Sequence, residues 1–420
     1  MKAEARAVAE PALAPSPFAN ALDALQSRDF RLLWLNGFSF FLARGMAMLS
    51  TGWLVKELTD SPSLVGAVFF VQGAPIFLFS LLAGVWADRL DRRGLIIASQ
   101  AAAIAVTAVL AVVALAGVVA TWQVFVLSFA MGTAMALGQP SRQALIPALV
   151  APERLMNAVV LNTLILNLSF VIGPALAGAL IAGLDFGGAF LVQVAVLLAG
   201  FPLLLAMRSP AVERAAAPAA VVSELREGLA FVGSDALIRA LFVLTGVTGV
   251  FFIGSYQALL PVFADDVLDV GSTGYGLLSG AMGLGMLGGS LFIASRGDFA
   301  RKGEALLSSL AIGGLVFVTF AASSWYPLSL LTMLAWGFGA AFFMNLTITI
   351  VQSHTPDRLM GRVMSAQQLS LHGLSPLGAL AAGGFAEAAG APAAAVVGGL
   401  AVVAVALVFF AREPALRAMR

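Results

Sequence analysis

Long runs of apolar residues follow one another along almost the whole chain, separated by short polar stretches. A helix that crosses the hydrocarbon core of a bilayer needs roughly 20 such residues. Runs of this kind lie at residues 30–55, 63–87, 95–120, 122–142, 156–184, 186–207, 239–264, 273–295, 304–323, 326–351, 362–388 and 391–411. The pattern therefore predicts an all-α membrane protein with twelve transmembrane helices.

Composition supports the same class. The 420 residues are 60% hydrophobic and 11% charged, whereas soluble domains carry about 25% charged residues. The chain has no cysteine, which excludes a disulfide framework and a cysteine-based metal site. Sequence motifs of phosphate-binding loops, metalloproteases and serine hydrolases are absent. We therefore expect neither an enzyme nor a resident metal or cofactor, and the net charge of +1 does not indicate a nucleic-acid partner.

Basic residues are distributed very unevenly between the two sets of connections. One set holds Arg89, Arg92, Arg93, Arg154, Arg208, Arg214, Arg226, Arg296, Arg301, Lys302 and Arg358. The alternate set holds Lys56 alone. Cytoplasmic loops of membrane proteins carry the excess of Lys and Arg, so this pattern predicts that both termini lie in the cytoplasm. We expect a multi-pass protein of the bacterial cytoplasmic (inner) membrane.

The predicted helices fall into two halves. Residues 1–29 are expected to be a disordered cytoplasmic tail, 30–207 and 239–411 two six-helix bundles, 208–238 a cytoplasmic linker with an amphipathic helix, and 412–420 a second tail. The segment 152–159 is repeated at 356–363, on the same predicted side of the membrane. Such a repeat predicts two parallel, pseudo-symmetric bundles, as in the two halves of a major-facilitator transporter.

The stretch Gly84-Val-Trp-Ala-Asp-Arg-Leu-Asp-Arg-Arg93 strengthens this interpretation. It resembles the loop motif of the major facilitator superfamily, with Asp91 where the family has a glycine. Segments 140–147 and 260–267 are similar to the branch that includes bacterial enterobactin and macrolide exporters. Gly173, Pro174 and Gly178 are similar to the fifth-helix motif of antiporters. The resemblance implies the major facilitator fold and alternating access.

The expected function is secondary active export of a small amphipathic or anionic molecule, such as a drug-like compound or a siderophore. An importer or facilitator, or a lipid transporter of the same fold, stays open as an alternative. Protons are the candidate coupling ion, membrane lipid surrounds the chain, and a monomer is expected. A fourth-helix arginine of the proton-coupled drug exporters has no counterpart within 125–138, so proton coupling is not implied residue by residue.

Two charged or titratable groups stand near mid-depth in the predicted helices. Arg44 is costly at the bilayer centre and should face the bundle interior or water. It is a candidate anchor for an anionic substrate, or a packing residue held by carbonyl oxygens. His372 is a candidate proton carrier, because an unperturbed imidazole titrates near pH 6.5, or a hydrogen-bonded packing residue. Glu387 and Asp265 are expected to be solvated interfacial charges without a role.

Uncharged polar residues complete the candidate cavity, since amides in hydrocarbon need partners or water. We expect the cavity to be lined by Asn36, Gln72, Gln139, Asn162, Gln193, Tyr256, Gln257, Asn345 and Gln368, together with Arg44. The resemblance implies a gating motif made of Gly84, Asp88, Arg89, Arg92 and Arg93. In this hypothesis Asp88 bonds backbone N–H groups near Arg362 when the cytoplasmic side is closed; the alternative is a positive turn that only sets topology.

Overall fold

The computed structural model describes residues 21–89, 91–208, 227–228, 230–296 and 301–419. Its α-helices are α1 (Arg28–Thr59), α2 (Pro62–Arg89), α3 (Arg92–Leu115), α4 (Thr121–Leu149), α5 (Leu155–Ala206), α6 (Ala236–Thr248), α7 (Ser255–Val262), α8 (Gly271–Arg296), α9 (Lys302–Ala321), α10 (Tyr326–His354), α11 (Met360–Gln368), α12 (Leu374–Ala389), α13 (Ala391–Arg412) and α14 (Pro414–Arg417). Three π-helical stretches, Gly249–Gly254, Phe263–Val267 and Leu369–Gly373, join α6 to α7, extend α7, and join α11 to α12.

The fold class predicted from the hydrophobic pattern is confirmed. Within the described residues, nine helices are long and apolar enough to cross a membrane when α5 is taken as one. The helix α2 and the continuous run from α11 to α12 add further segments of similar length. These helices are sufficient for the twelve predicted spans, although the number itself stays a prediction.

The helix α5 turns back on itself at Asp185, where φ is 57° and ψ is −177°. Trp34 Nε1 donates to the carbonyl of Leu161 over 3.0 Å, and Asn36 Nδ2 donates to that of Gly200 over 3.0 Å. Because two neighbouring residues of α1 contact both ends of α5, its two arms must run antiparallel. Asp tolerates a positive φ better than most residues, which allows this reversal almost without a loop.

The helices pack as two bundles. The N-terminal bundle comprises α1 to α5, in which α1 lies against α5 and α2 against α4. The C-terminal bundle comprises α6 to α13, in which α8 lies against α10 and α9 against α13. We call the face that carries Arg93, Arg154 and Arg358 the basic side, and the opposite face, which carries Lys56, the Lys56 side.

Small residues bring the two bundles together from the Lys56 side to mid-depth. A Cβ on Gly66 of α2 would overlap the carbonyl oxygen of Ala379 in α12, and one on Gly178 of α5 would overlap that of Ser272 in α8. Nearer the basic side, the two helix pairs still touch at Gly73 with Pro376 and at Gly283 with Val171. Such backbone contact is typical of small-residue interfaces in membranes.

The glycine stripe of α8 serves two partners. The first members, Gly276 and Gly280, face Pro174 and Val171 of α5, as the spacing of small residues predicts. The later members, Gly285 and Gly289, face Leu334 and Phe338 of α10 instead. One end of the stripe therefore joins the bundles, and the other end packs inside the C-terminal bundle.

The ends and the linker differ in part from expectation. The tail was predicted to be disordered up to residue 29, but Ala21–Gln26 forms a 3₁₀ turn whose Ala24 is buried in the N-terminal bundle. Residues 1–20 lie outside the described residues, as does most of the predicted amphipathic linker helix. The repeated segments keep equivalent structures, since Pro152–Arg154 and Asp357–Leu359 each form a 3₁₀ turn before a helix.

Substitution of Gly66 by valine is predicted to separate the bundles on the Lys56 side, because the new Cβ meets backbone rather than a movable side chain. Overpacking of this kind costs about 1–3 kcal/mol. The chain has no cysteine, so spin labels on Val118→Cys and Ser324→Cys, in one turn of each bundle, can report the distance across that side. Gly384→Val is the matched control, since a Cβ there meets nothing within 4 Å. Equal distances in both variants would contradict the prediction.

Candidate functional site

A buried lysine holds the bundles together on the Lys56 side. Lys56, at the end of α1, is 2% exposed, and its Nζ lies 2.7 Å from Asp266 and 3.1 Å from Asp265 of the C-terminal bundle. It also forms an ion pair with Asp60 of its own bundle. The carboxylates are partly exposed while the ammonium is not. The lysine therefore acts as the shared counter-ion of three acids contributed by both bundles; we call these four residues the Lys56 cluster.

Within the Lys56 cluster, the ammonium of Lys56 favours the charged form of the Asp60 carboxyl group. The hydrogen bond from Lys56 holds the pKa of the Asp60 carboxyl below its usual value. A carboxyl group whose pKa is lowered in the folded state stabilises that state at pH values above its ordinary pKa. This stabilisation is lost as the pH falls through the lowered pKa. The Asp60 pair therefore persists at neutral pH. The three acids lie close enough to share a metal ion, but the ammonium of Lys56 occupies the position between them.

Glu387 makes a second cross-bundle contact on the same side. Its Oε2, at the end of α12, accepts from Ser61 Oγ over 2.8 Å and from the backbone N–H of Ser63 over 3.1 Å. Ser63 lies in the first turn of α2, where free N–H groups and the helix dipole favour a carboxylate. Glu387 and Asp265 were expected to be solvated interfacial charges without a role; both are at least partly exposed, and both also contact the other bundle.

Arg44 and His372, the two charged or titratable groups predicted near mid-depth, both carry exposed side chains. Arg44 lies next to Gly45, which contacts Gly173 and Pro174 of the fifth-helix motif. His372 lies one turn from Pro376, which contacts Gly73 of α2.

Arg44 and His372 belong to different bundles, and the charge of Arg44 acts on the imidazole of His372. Within the described residues, neither side chain has a hydrogen-bond or ion-pair partner. Gln368, one turn before His372 on the same helical face, is also exposed. His372 lies in a π-helical stretch, and such stretches are frequent at functional sites.

The other predicted cavity residues divide by burial. Asn36, Gln193 and Tyr256 are buried inside their own bundles, so their side chains do not reach the space between the bundles in this conformation. The rings of Tyr256 and Trp336 are tilted by 45° with centroids 5.8 Å apart. Asn345 Nδ2 donates to Ser290 Oγ over 3.4 Å and to the carbonyl of Ala341 over 2.8 Å. The half-buried members are Gln72, Gln139, Asn162, Gln257 and Asn345.

Gln72 and Gln193 also line a small internal cavity of about 10 Å³ in the N-terminal bundle, with Thr51, Thr107 and Ser128. Gln193 Nε2 donates to the carbonyl of Ala43 over 2.9 Å, and its Oε1 has no partner among the described residues. A polar cavity of this size suits one water molecule. These two glutamines therefore belong to the interior of the bundle rather than to a substrate-sized space.

A buried arginine of the N-terminal bundle is fully engaged in packing. Arg142 of α4 is 3% exposed; its Nη2 donates to Asn36 Oδ1 over 2.6 Å and its Nη1 to the carbonyl of Leu33 over 3.3 Å. The guanidinium also lies over the rings of Phe40 and Phe41. Asn36 extends the network to Gln100 Oε1 over 2.8 Å. This polar network ties α1, α3 and α4 together.

The described part of the predicted gating motif binds its own bundle. Arg93 donates to the carbonyls of Leu204 and Leu205 at the end of α5, over 3.1 and 2.7 Å, and Arg92 donates to that of Ala144 near the end of α4. Cations are favourable at helix C-termini. Asp91 caps α3 by accepting from the N–H groups of Arg93 and Gly94.

The rest of the gating motif belongs to the end of α2. This helix includes Gly84, Asp88 and Arg89, whose side chains lie outside the described residues. Arg362, the predicted neighbour of Asp88, forms an ion pair with Glu227 of the linker, as does Arg358 over 3.2 Å. The linker thus contacts the start of α11 at the place where the hypothesis puts the closing contact.

An apolar groove of about 420 Å³ opens on the surface of the C-terminal bundle. Its walls are Phe242, Val243, Gly246, Val247, Val250, Phe251, Ser370 and Leu374, with Arg239 at the basic end. The Arg239 guanidinium donates to the carbonyl of Gly233 over 2.8 Å. Apart from Arg239 and Ser370, the groove is lined by apolar residues.

Comparison with known proteins identifies the family. The model of the transmembrane secretion effector family of the major facilitator superfamily matches residues 19–419. The chain belongs to this family. It is 26% identical over 338 residues to the enterobactin exporter EntS of Shigella boydii, covering 77% of this chain and 78% of the relative. It is 25% identical over 355 residues to the multidrug efflux pump Tap of Mycolicibacterium fortuitum, covering 82% and 86%.

Solved structures agree on the fold. A POT family transporter in complex with a thioalcohol-conjugated peptide superposes with a TM-score of 0.72 at 14% identity, covering 94% of this chain and 96% of that one. An inward-facing, occupied bacterial homologue of the lysosomal transporter Spinster gives 0.71 at 14% identity, covering 93% and 96%. The predicted membership of the major facilitator superfamily, in its enterobactin and multidrug exporter branch, is therefore confirmed. The chain is a multi-pass membrane transporter with a small-molecule substrate.

The Lys56 cluster is the feature that sequence reasoning missed. Lys56 is the one basic residue predicted on its side, and Asp60, Asp265 and Asp266 lie on that side too. This imbalance was a usable signal, because a single cation among several acids is expected to attract them. What the sequence lacked was the proximity of residues 56 and 265, which depends on how the bundles meet.

Lys56→Met is predicted to favour separation of the bundles on the Lys56 side, because three carboxylates lose their common counter-ion. Partly exposed ion pairs contribute less than buried ones, so we expect the free energy of separating the bundles on this side to fall by about 1–2 kcal/mol. The spin-label pair at Val118→Cys and Ser324→Cys measures it. Combining Lys56→Met with Asp265→Asn and Asp266→Asn should add little further change. Asp269→Asn, in the same turn but outside the cluster, serves as the control; a shift of equal size there would refute the assignment.

Arg142→Leu is predicted to lower stability by about 1–3 kcal/mol, because Asn36 Oδ1 loses its donor inside the bundle. The stability of Arg142→Lys should lie between those of the native protein and Arg142→Leu, since a lysine keeps the charge but cannot donate from two nitrogens at once. Thermal unfolding in detergent, followed by tryptophan fluorescence, checks both. Arg412→Leu, at the exposed end of α13, is the matched control. Unchanged unfolding with loss of transport would instead give Arg142 a direct role in transport.

Proposed function

We propose that this transporter exports a small amphipathic or anionic molecule from the cytoplasm by alternating access, driven by an ion gradient. The observation that carries the proposal is that Arg44 and His372, which lie at mid-depth of predicted spans in different bundles, both have exposed side chains. The names of its relatives, a siderophore exporter and a multidrug efflux pump, support export.

The distribution of basic residues supports an orientation in a bacterial inner membrane in which the basic side faces the cytoplasm. Both termini then lie in the cytoplasm. In that orientation the Lys56 cluster and Glu387 join the two bundles on the outer side. Outward opening requires the cross-bundle contacts of Lys56 and Glu387 to break.

The gating motif completes the cycle. Closure on the basic side brings α2 towards α11, and Asp88 then accepts from backbone N–H groups near Arg362. Arg92 and Arg93 already anchor α3 to the ends of α4 and α5, so the motif moves with the whole N-terminal bundle. Arg362 exchanges part of its interaction with Glu227 of the linker for the new contact. A monomer is sufficient for this mechanism, since both bundles belong to one chain.

His372 is the candidate proton carrier. It is a histidine at mid-depth of its predicted span, and its side chain is exposed. Proton binding and substrate binding in one space affect each other by thermodynamic linkage. The same space then serves coupling and transport.

Lipid transport is a second candidate, favoured by the groove of about 420 Å³ with Arg239 at its basic end. A lipid places its chain along an apolar groove and its headgroup at the interface. Such a substrate enters from the membrane rather than from the cytoplasm. Translocation of a fluorescent phospholipid in the same vesicles separates this candidate from export of a soluble molecule.

The purified chain in proteoliposomes is predicted to move substrate from its basic side to its Lys56 side, faster with an imposed pH gradient. A panel of aromatic acids and their neutral amides supplies substrates. Arg44→Ala should reduce the initial rate at least tenfold, while Arg44→Lys should retain part of it because the charge remains. His372→Gln should abolish acceleration by the pH gradient and keep downhill transport. Arg412→Leu is the control for an arginine outside the cavity; transport in the opposite direction would contradict export.

A further inference from the structure

The apolar groove lies on the face of α6 that points away from the core of the C-terminal bundle. Ile238 and Leu241 of α6 are fully buried, whereas Val243, on the opposite side of the helix, is 46% exposed. The span that α6 begins, Ala236–Val267, is long and apolar enough to cross a membrane. The outer face of a helix at membrane depth is in contact with lipid.

Neighbouring helices close the two flanks of the groove. A Cβ on Gly246 would lie 3.1 Å from Leu374 Cδ1 of α12, and one on Gly398 of α13 would lie 3.3 Å from the carbonyl oxygen of Phe251. The helix α12 also touches the N-terminal bundle, through Pro376. It therefore stands between that bundle and the groove, so the groove opens sideways into the bilayer and not into the interface between the bundles.

The walls of the groove offer almost no polar group to a ligand. Their one hydroxyl, Ser370 Oγ, donates to the carbonyl of Phe242 over 3.1 Å. Soluble ligands are held in place by a few convergent polar groups, which these walls lack. A groove of about 420 Å³ with this lining, open to the bilayer, fits a hydrocarbon chain.

Arg239 supplies a charge at the basic end of the groove. It lies in the first turn of α6, its side chain is exposed, and one N–H of its guanidinium donates to the carbonyl of Gly233 over 2.8 Å. That bond orients the group and leaves four of its five N–H donors for another partner. The carboxylate of Asp235, one turn earlier, accepts from the N–H of Ile238 as a helix cap. Within the described residues, Arg239 has no ion-pair partner.

We propose that this groove binds an anionic phospholipid, with one acyl chain along its walls and the phosphate on Arg239. A guanidinium forms strong paired hydrogen bonds with phosphate, and basic pockets beside transmembrane helices suit anionic headgroups. The walls on α6 and α12 both belong to the C-terminal bundle, so the lipid moves with that bundle and stays bound in either conformation. The inference goes beyond the proposed export and does not depend on it.

Quenching of a fluorescent label by brominated lipid tests the proposal on the full chain. The chain has no cysteine, so Leu377→Cys can be labelled with bimane; Leu377 is 46% exposed on α12, about one turn beyond Leu374 and outside the walls of the groove. The labelled protein is placed in phosphatidylcholine vesicles that contain a small fraction of dibromo-phosphatidylglycerol or of dibromo-phosphatidylcholine with the same chains. The anionic lipid is expected to quench roughly fivefold more effectively, the preference that one arginine near the membrane surface supplies.

A second label position measures ordinary contact with lipid. Leu407 is 57% exposed on α13. It lies nine residues from Gly398 and therefore on the opposite side of that helix from Phe251. Bimane on Leu407→Cys is expected to be quenched equally by the two lipids. Equal quenching by the two lipids at Leu377 would overturn the proposal.

Substitutions of Arg239 test the headgroup contact. Arg239→Gln in the Leu377→Cys background is expected to remove the preference for the anionic lipid, and Arg239→Lys to keep part of it because the charge remains. Arg296→Gln is the matched control, since Arg296 is also an exposed arginine at the basic end of a span, in α8. A preference that survives in Arg239→Gln, or that is lost equally in Arg296→Gln, would overturn the assignment.

Filling the groove tests the place of the acyl chain. Val243→Trp adds bulk at an exposed wall and is expected to lower quenching at Leu377 by both lipids, while Leu315→Trp, at an exposed position of α9, should leave it unchanged. Val243→Phe replaces the first variant where gel filtration shows no folded protein. Unchanged quenching in the filled groove would overturn the proposal. None of these measurements requires transport, so their failure leaves export in proteoliposomes untouched, and absence of export leaves the lipid site standing.

Discussion

A lipid bilayer offers no hydrogen-bond partner, so each polar group inside it must find one within the protein or in trapped water. This constraint explains most of the polar architecture. Arg142, Asn36 and Gln100 satisfy one another and the carbonyls of neighbouring helices. Their network fixes the relative positions of helices that otherwise meet through apolar contacts, which are poorly directional. Arg44 differs from them, because its exposed guanidinium has no hydrogen-bond or ion-pair partner among the described residues.

The contacts between the bundles combine two kinds of interaction with different roles. Glycines and prolines allow backbones to approach without side chains between them, as at Gly66 with Ala379 and Gly178 with Ser272. These contacts fit in one arrangement and are lost together when the bundles tilt. Lys56 and Glu387 add charge at the rim, where water can replace the lost partners. A closed side built in this way is stable, and it can still open without leaving a charge stranded in hydrocarbon.

Much of the fold followed from the sequence because a membrane imposes simple rules on composition. Apolar runs gave the helices, and the repeat of 152–159 at 356–363 indicated two related halves, whose 3₁₀ turns proved equivalent. Small-residue spacing correctly paired α5 with α8. The site was harder to predict, because an amide inside a helix gives no sign of the direction it faces: Asn36 turned inward to Arg142 and Gln193 to Ala43. Lys56 and Glu387 were missed for a related reason, since their partners lie more than two hundred residues away in sequence. In physical terms, periodicity reports burial along one helix, whereas these contacts depend on the angle between two bundles.

The exposure of the Lys56 cluster has a consequence for the environment in which the protein works. Its carboxylates are about half exposed or more, and salt screens exposed charges over a distance of about 10 Å at 0.1 M and about 3 Å at 1 M ionic strength. The glycine contacts beside it carry no charge and are insensitive to this screening. The ionic strength of the medium on the Lys56 side thus acts on the ion pairs of the Lys56 cluster and leaves the glycine contacts unaffected. In a saline environment the transporter would spend more of its time open to that medium, with no change in any residue.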